Sequence, residues 1–134
     1  GFAVLRRQWK AGDTVHLHLP MPIRRVRSHE RVVENRGRVA LQRGPLVYCV
    51  EGVDNDGHVQ DLILPQEAAL AAKRTNLLDG ATIITGSAKV PYRGAEGVVT
   101  EKAHTLTAIP YYAWAHRAKG EMAVWLATGA VEEK

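Results

Sequence analysis

The feature that most restricts what this chain can fold into is a hydrophobic alternation of period two, cut every few residues by glycine or proline. Val15, Leu17 and Leu19 alternate with His16 and His18. On a helix these residues would scatter round the axis; on a strand the three apolar side chains share one face. Phe2 to Trp9 reads as an earlier strand, with Ala11-Gly12-Asp13 as the turn between the two. Pro20-Met21-Pro22 then interrupts, because proline lacks the N–H that a central ladder needs. Ile23 to Ser28 and Arg31 to Glu34 are expected as short edge-like segments, followed by a turn at Asn35-Arg36-Gly37.

Arg38 to Gln42 and Leu46 to Glu51 read as consecutive strands around Arg43-Gly44-Pro45. The run Leu46-Val47-Tyr48-Cys49-Val50 is apolar on both faces, which places it centrally, buried between two layers. Val59 to Leu64, Thr82 to Thr85, Val98 to Ile109 and Met122 to Ala127 complete the expected strands. Gln66 to Arg74, rich in Glu and Ala, is the one stretch with local helix propensity, and a short helix or turn is expected there. Many short strands punctuated by Gly and Pro indicate an all-β fold, a β-sandwich or jelly roll.

At 134 residues the chain is the size of one domain, large enough to bury a core without a disulfide or metal. Its net charge of +4 is uneven. Residues 1–43 hold ten Lys and Arg against three acids, a balance of +7, and the remainder hold eight against eleven, a balance of −3. A basic lobe is compatible with a polyanion partner. However, the arginines are spread over several strands, without the interleaved aromatics of a single-strand groove and without a nucleic-acid motif. They read instead as outward strand positions and as partners for acids on an adjoining domain, so neither nucleic acid nor membrane is expected as a partner. No apolar run reaches the length of a membrane helix, and no signal peptide opens the chain. Its abrupt start in strand-like sequence reads as a piece of something longer, which leaves the compartment unknown.

Reactive chemistry has little to work with. Glycoside hydrolysis needs two placed carboxylates, and Glu30, Glu34, Glu51, Asp61, Glu96, Glu101 and Glu121 sit among turns or ordinary strand positions. Asp54-Asn55-Asp56-Gly57 imitates the start of a calcium loop, but Pro65 stands where the bidentate Glu belongs. His16 and His18 share a face yet have no nameable third ligand, and no metal is expected. Cys49 is the only cysteine and lies in the most apolar run, as an inert packed thiol would. Tyr111, Tyr112 and Trp114 form the one aromatic cluster, suited either to packing or to stacking on a sugar.

Three segments carry a resemblance. Arg7-Gln8-Trp9-Lys10-Ala11-Gly12-Asp13 with Leu19-Pro20-Met21-Pro22 resembles the R-x-W-x-x-G-D … L-P-M region of family-127 glycoside hydrolases. Gly37 to Cys49 resembles that family's G-x-V-A-[LI]-x-R-G-P-L-V-Y-C stretch. Ala108 to Arg117 with Met122-Ala123-Val124-Trp125 is similar to its I-P-Y-Y-x-W-A-N-R … M-x-V-W tail, with His116 in place of the usual Asn. The resemblance implies that residues 1–134 are a single C-terminal β-sandwich domain of a larger enzyme, whose (α/α)6-barrel catalytic domain is absent here. It implies a parent that releases terminal β-L-arabinofuranose or a related sugar with a zinc-bound cysteine from a Cys-Cys-Pro-Pro-Asn motif. That motif does not occur in this sequence, so no catalytic, cofactor or metal residue is assigned, and the chain is expected to be inactive alone. The expected role is structural, packing against the catalytic barrel of the same polypeptide. The alternatives are a carbohydrate-binding module and, behind it, a basic polyanion binder. Arg43, Tyr111, Tyr112 and Trp114 are the expected interdomain or sugar contacts, and the isolated chain is expected to self-associate.

Overall fold

The structure, a computed structural model, describes residues 1–94, 96–97 and 99–129. Eight strands form one antiparallel sheet: β1 (Ile23–Val26), β2 (Arg38–Arg43), β3 (Leu46–Glu51), β4 (Leu70–Arg74), β5 (Thr82–Arg93), β6 (Val99–Pro110), β7 (Met122–Ala123) and β8 (Trp125–Ala127). The path of hydrogen-bonded neighbours is β1-β2-β3-β6-β5-β4. β2 and β3 meet only through Gln42↔Val47 and Arg43↔Leu46, next to their turn. Beyond it they diverge, and residues 122–127 fill the gap, β7 pairing with β3 and β8 with β2.

The sheet curls until it nearly closes. Ile63 bridges to Lys89 of β5 on one side and to Ala127 of β8 on the other. It thereby joins the two flanks of the curl around the core. Inside lie Val39, Leu41, Tyr48, Val50, Val59, Leu62, Leu64, Ile84, Leu106 and Leu126, with Ala88 and Ala108. Removing each larger side chain from water contributes roughly 1.5–3 kcal/mol. The all-β expectation holds, met by one curled sheet, an arrangement compatible with a sandwich.

The Leu46–Val50 run is buried on both faces only from Tyr48 to Val50; beside the turn Leu46 is half-buried and Val47 is 44% exposed. Tyr48 and Val50 point into the main core, while Cys49, on the other face, packs with Ile83, Ile109 and Ala113 in a second cluster. Gly44 makes the β2–β3 turn with φ +55°, and a Cβ there would fall 2.3 Å from Met21 Sδ. Met21 and Pro22 therefore lie directly on the turn, with the Gly44 N–H donating to the Pro22 carbonyl.

Several local expectations are overturned. Leu70–Arg74 is a strand, not a helix, because five register pairs with β5 outweigh a weak local propensity, and a turn survives only at Gln66–Glu67. Phe2 to Trp9 and Val15 to Leu19 form no ladder, since no strand lies beside them, and residues 1–20 are exposed throughout. Arg31 to Glu34 is turn leading into a 3-10 turn at Val33–Asn35. Val59 to Leu64 pairs only through Ile63. β5 runs eight residues past the expected end at Thr85, and Val98 of the expected sixth strand lies outside the described residues. By contrast, Asp54-Asn55-Asp56-Gly57 is the plain turn expected in place of a calcium loop, closed around Asn55, which is fully buried. Its amide donates to the Glu51 and Thr107 carbonyls and accepts from the Thr107 N–H, each at 2.9 Å.

Candidate functional site

β6 ends at Pro110, whose register partner is Tyr48 of β3. The chain then makes a 3-10 turn over Tyr111–Ala113, closed by the Trp114 N–H on the Tyr111 carbonyl. Ala113 is buried against Cys49, Ile83 and Ile109, which anchors the turn in the second cluster. A buried Ala113 forces its neighbours outward: Tyr111 is 46% exposed, Tyr112 64% and Trp114 41%. The Tyr111 and Trp114 rings stack on one another, centroids 6.1 Å apart and planes 23° from parallel. Such a near-parallel exposed pair offers a flat apolar face with polar rims, suited to a packed side chain or a sugar ring.

Below the aromatics, strand alternation places Glu51 on the same face as Cys49 and under the loop. Arg117 reaches down to it. Its Nη2 donates to Glu51 Oε2 at 2.7 Å and to Asp54 Oδ2 at 2.5 Å, and its Nη1 donates to Asp54 Oδ1 at 2.7 Å. The other Glu51 oxygen accepts from the Ala115 N–H at 3.0 Å, where the backbone takes φ +64°. The side chains of Glu51 and Asp54 are only 6% and 10% exposed. One guanidinium thus holds two carboxylates, and Glu51 in turn ties down the C-terminal side of the aromatic loop at Ala115. The hydrogen bonds to Asp54 raise the Arg117 pKa further, against the opposing effect of its desolvation, and those to Glu51 add to the rise.

Arg43 belongs to the same end of the molecule. Burial raises the Tyr48 phenol above its ordinary value; the Arg43 guanidinium pulls it back, and the Tyr112 phenol pushes it up. The Tyr48 hydroxyl donates to the Thr82 carbonyl at 2.8 Å. Arg43 and Tyr112 thus both act on one buried phenol, and Tyr111 and Trp114 form a pair on the adjoining surface. The sequence places Asp54 only in a loop and Arg117 only at the end of a family-like stretch, gives Glu51 no special setting, and does not join the three. The available signal was the arginine closing the I-P-Y-Y-x-W-A-x-R stretch.

The remaining chemistry-bearing residues are apart from this region. Asp61 pairs with His58 and Glu101 with Lys89, while Glu30, Glu34, Glu96 and Glu121 are exposed. Glu51 and Asp54 are brought together by Arg117, which donates to both and so engages them in an ion network. His16 and His18 lie in the exposed first twenty residues. Among the described residues no three His, Cys, Asp or Glu side chains gather as metal ligands, so those residues offer no fitting donor set for the zinc implied by the family resemblance. The Cys49 thiol is pushed up to about 12 by desolvation, with the Glu51 carboxylate adding to it, and stays protonated at neutral pH.

Comparison with known proteins gives a consistent result. The family model described as "Glycoside hydrolase family 127 C-terminal domain" matches residues 23–127. A curated non-reducing end β-L-arabinofuranosidase of Bifidobacterium longum subsp. longum is 37% identical over 131 residues, covering 86% of this chain and 20% of that protein. Among solved structures, a family-127 β-arabinofuranosidase superposes with a TM-score of 0.78 at 40% identity, over 82% of this chain and 18% of that one. A second, from Geobacillus stearothermophilus T6, gives a TM-score of 0.70 at 43% identity, over 81% of this chain and 18% of its own. The chain therefore spans about one fifth of the length of the relatives it matches.

Proposed function

From the premise that this chain belongs to the glycoside hydrolase family 127 C-terminal domains, we propose that it is the non-catalytic part of a longer glycosidase and packs against the catalytic barrel of the same polypeptide. The parent activity that fits its relatives is release of terminal β-L-arabinofuranose. The observation that carries the docking role is the clamped aromatic loop: three large rings are held outward, at a fixed place, by a buried ion network that performs no chemistry. Exposed apolar side chains of the first twenty residues add to it, with Phe2, Leu5, Trp9, Leu17 and Leu19 all more than half exposed. So much uncovered apolar surface is unusual on a monomer and supports a covering partner. Left uncovered, these side chains bring copies of the isolated chain together.

A sandwich on a barrel fixes loops near the pocket and so preorganises a site without touching substrate. Trp114→Ala tests this in the longer polypeptide. Melting temperature or domain association should fall, with substrate affinity changed only secondarily. The near-parallel exposed rings of Tyr111 and Trp114 favour one second reading, direct contact with carbohydrate. If Trp114→Ala leaves melting unchanged and abolishes polysaccharide binding by the isolated chain, that reading replaces the first.

A further inference from the structure

We propose that the arginine-lined recess between the end of β1 and the start of β2 is a binding site for the carboxylate of an acidic sugar unit. The recess encloses about 300 Å³ and lies on the basic side of the molecule, in the chain segment whose charge balance is +7. Arg27, Arg36 and Arg38 all line it. Among the described residues none of the three has a carboxylate within 4 Å, whereas Arg117 and Arg7 are both paired. Three arginines against one Glu30 give the lining a positive balance, which a bound anion would offset. Guanidinium is also the group that takes a carboxylate through two parallel hydrogen bonds.

The recess is fixed rather than an accident of loose side chains. The loop between β1 and β2 is folded on itself by Val32 N–H on the His29 carbonyl, Asn35 N–H on Val32 and Arg36 N–H on Val33. Thr128, buried, donates both its N–H and its hydroxyl to the Gly37 carbonyl, at 2.9 and 3.0 Å, which ties the loop to the end of β8. Arg38 is held by donation to the Trp125 carbonyl at 3.2 Å, and Arg36 by donation to the Glu30 carbonyl at 3.4 Å. Glu30 also lines the recess, and its carboxylate forms no ion pair with the arginines, so their charge stays available. His29 Nδ1 accepts from the Arg31 N–H at 3.2 Å, which leaves Nε2 as the ring's donor.

The choice of a sugar carboxylate follows from the other lining groups. Ser28, Asn35 and Gln66 add neutral donors and acceptors of the kind that meet hydroxyls. The volume matches the lower end of small-ligand pockets, roughly 300–1,000 Å³, which suits one sugar unit. The carboxylate half of this assignment stands on the arginines alone. The sugar half also rests on the glycosidase reading.

The test is a titration of the 134-residue chain, followed by amide chemical shifts, with sodium D-galacturonate, methyl β-D-galactopyranoside and inorganic phosphate. Galacturonate should saturate shifts at residues 28–30, 35–38 and 128, and the neutral glycoside should not. Arg27→Gln and Arg36→Gln change exposed side chains and should each weaken galacturonate by roughly tenfold with the fold unchanged. Absence of saturable galacturonate shifts overturns the proposal, as does binding that survives both substitutions. Phosphate binding more tightly than galacturonate at the same amides overturns the sugar assignment in favour of a phosphate-bearing ligand. None of these results bears on melting or domain association in the longer polypeptide, so this failure and failure of the docking role remain separate.

Discussion

Replacing Arg117 by methionine removes the one positive charge that two buried carboxylates share. The guanidinium makes three charge-assisted hydrogen bonds to Glu51 and Asp54, whose side chains are 6% and 10% exposed. Were this a surface pair, its loss would cost at most about 1 kcal/mol. Here the carboxylates are left unpaired where little water reaches them, and the cost for such a group is roughly 3–5 kcal/mol. Urea unfolding of the two proteins, followed by tryptophan fluorescence, measures the difference. With a slope of roughly 1–3 kcal/mol per molar, the midpoint should fall by at least about 1 M. Arg117→Lys should fall between the two, because an ammonium keeps the charge but cannot fork onto both acids. The aromatic loop supplies an independent readout, since Ala115 and Arg117 are both tied to Glu51. Trp114 emission should shift toward that of a fully hydrated ring before global unfolding. A loss below about 1 kcal/mol with unchanged Trp114 emission would refute the clamp.

Two further outcomes follow from the same interior. The folded Cys49 thiol stays protonated to about pH 12, against a reference of 9.0, so between these values the unfolded chain has released a proton that the folded one keeps. Stability should therefore show no Cys49 contribution to its slope below pH 9 and fall above it at roughly 1.4 kcal/mol per pH unit, as urea midpoints across that range would measure. Cys49→Ala should flatten the slope, leaving the part due to the raised Tyr48 phenol; an unchanged slope would contradict the assignment. Gly44→Ala should cost roughly 1–2 kcal/mol of left-handed strain, measured by thermal melting. The close approach to Met21 Sδ adds to this. Repeating it in a Met21→Ala background should recover only the contact part, and full recovery would show that φ +55° carries no strain.

How much of this was legible beforehand divides by the range of the interaction. Residues a few positions apart determined the all-β class, the central place of Leu46–Val50 and the glycine turn after Arg43. Alternation, two-faced apolarity and turn chemistry are local properties that a chain displays before it folds. The same rule explains the misreadings. Gln66 to Arg74 has helix-forming residues, but β5 paired with its second half, and a five-residue ladder outweighs propensities of a few tenths of a kcal/mol each. Phe2 to Leu19 alternates convincingly, yet alternation only says which face would be buried, and nothing described in this chain lies beside it to do the burying. The candidate site shows the limit most sharply. Tyr111, Tyr112 and Trp114 stand out as an aromatic cluster, but Glu51 and Arg117 are 66 positions apart and look like ordinary charges. Only when β3 lies against β6 does strand parity carry Glu51 beneath the loop and into reach of the guanidinium. Burial then makes that contact strong, because a charge pair gains its weight from the water it excludes, and exclusion of water is a property of the packed chain.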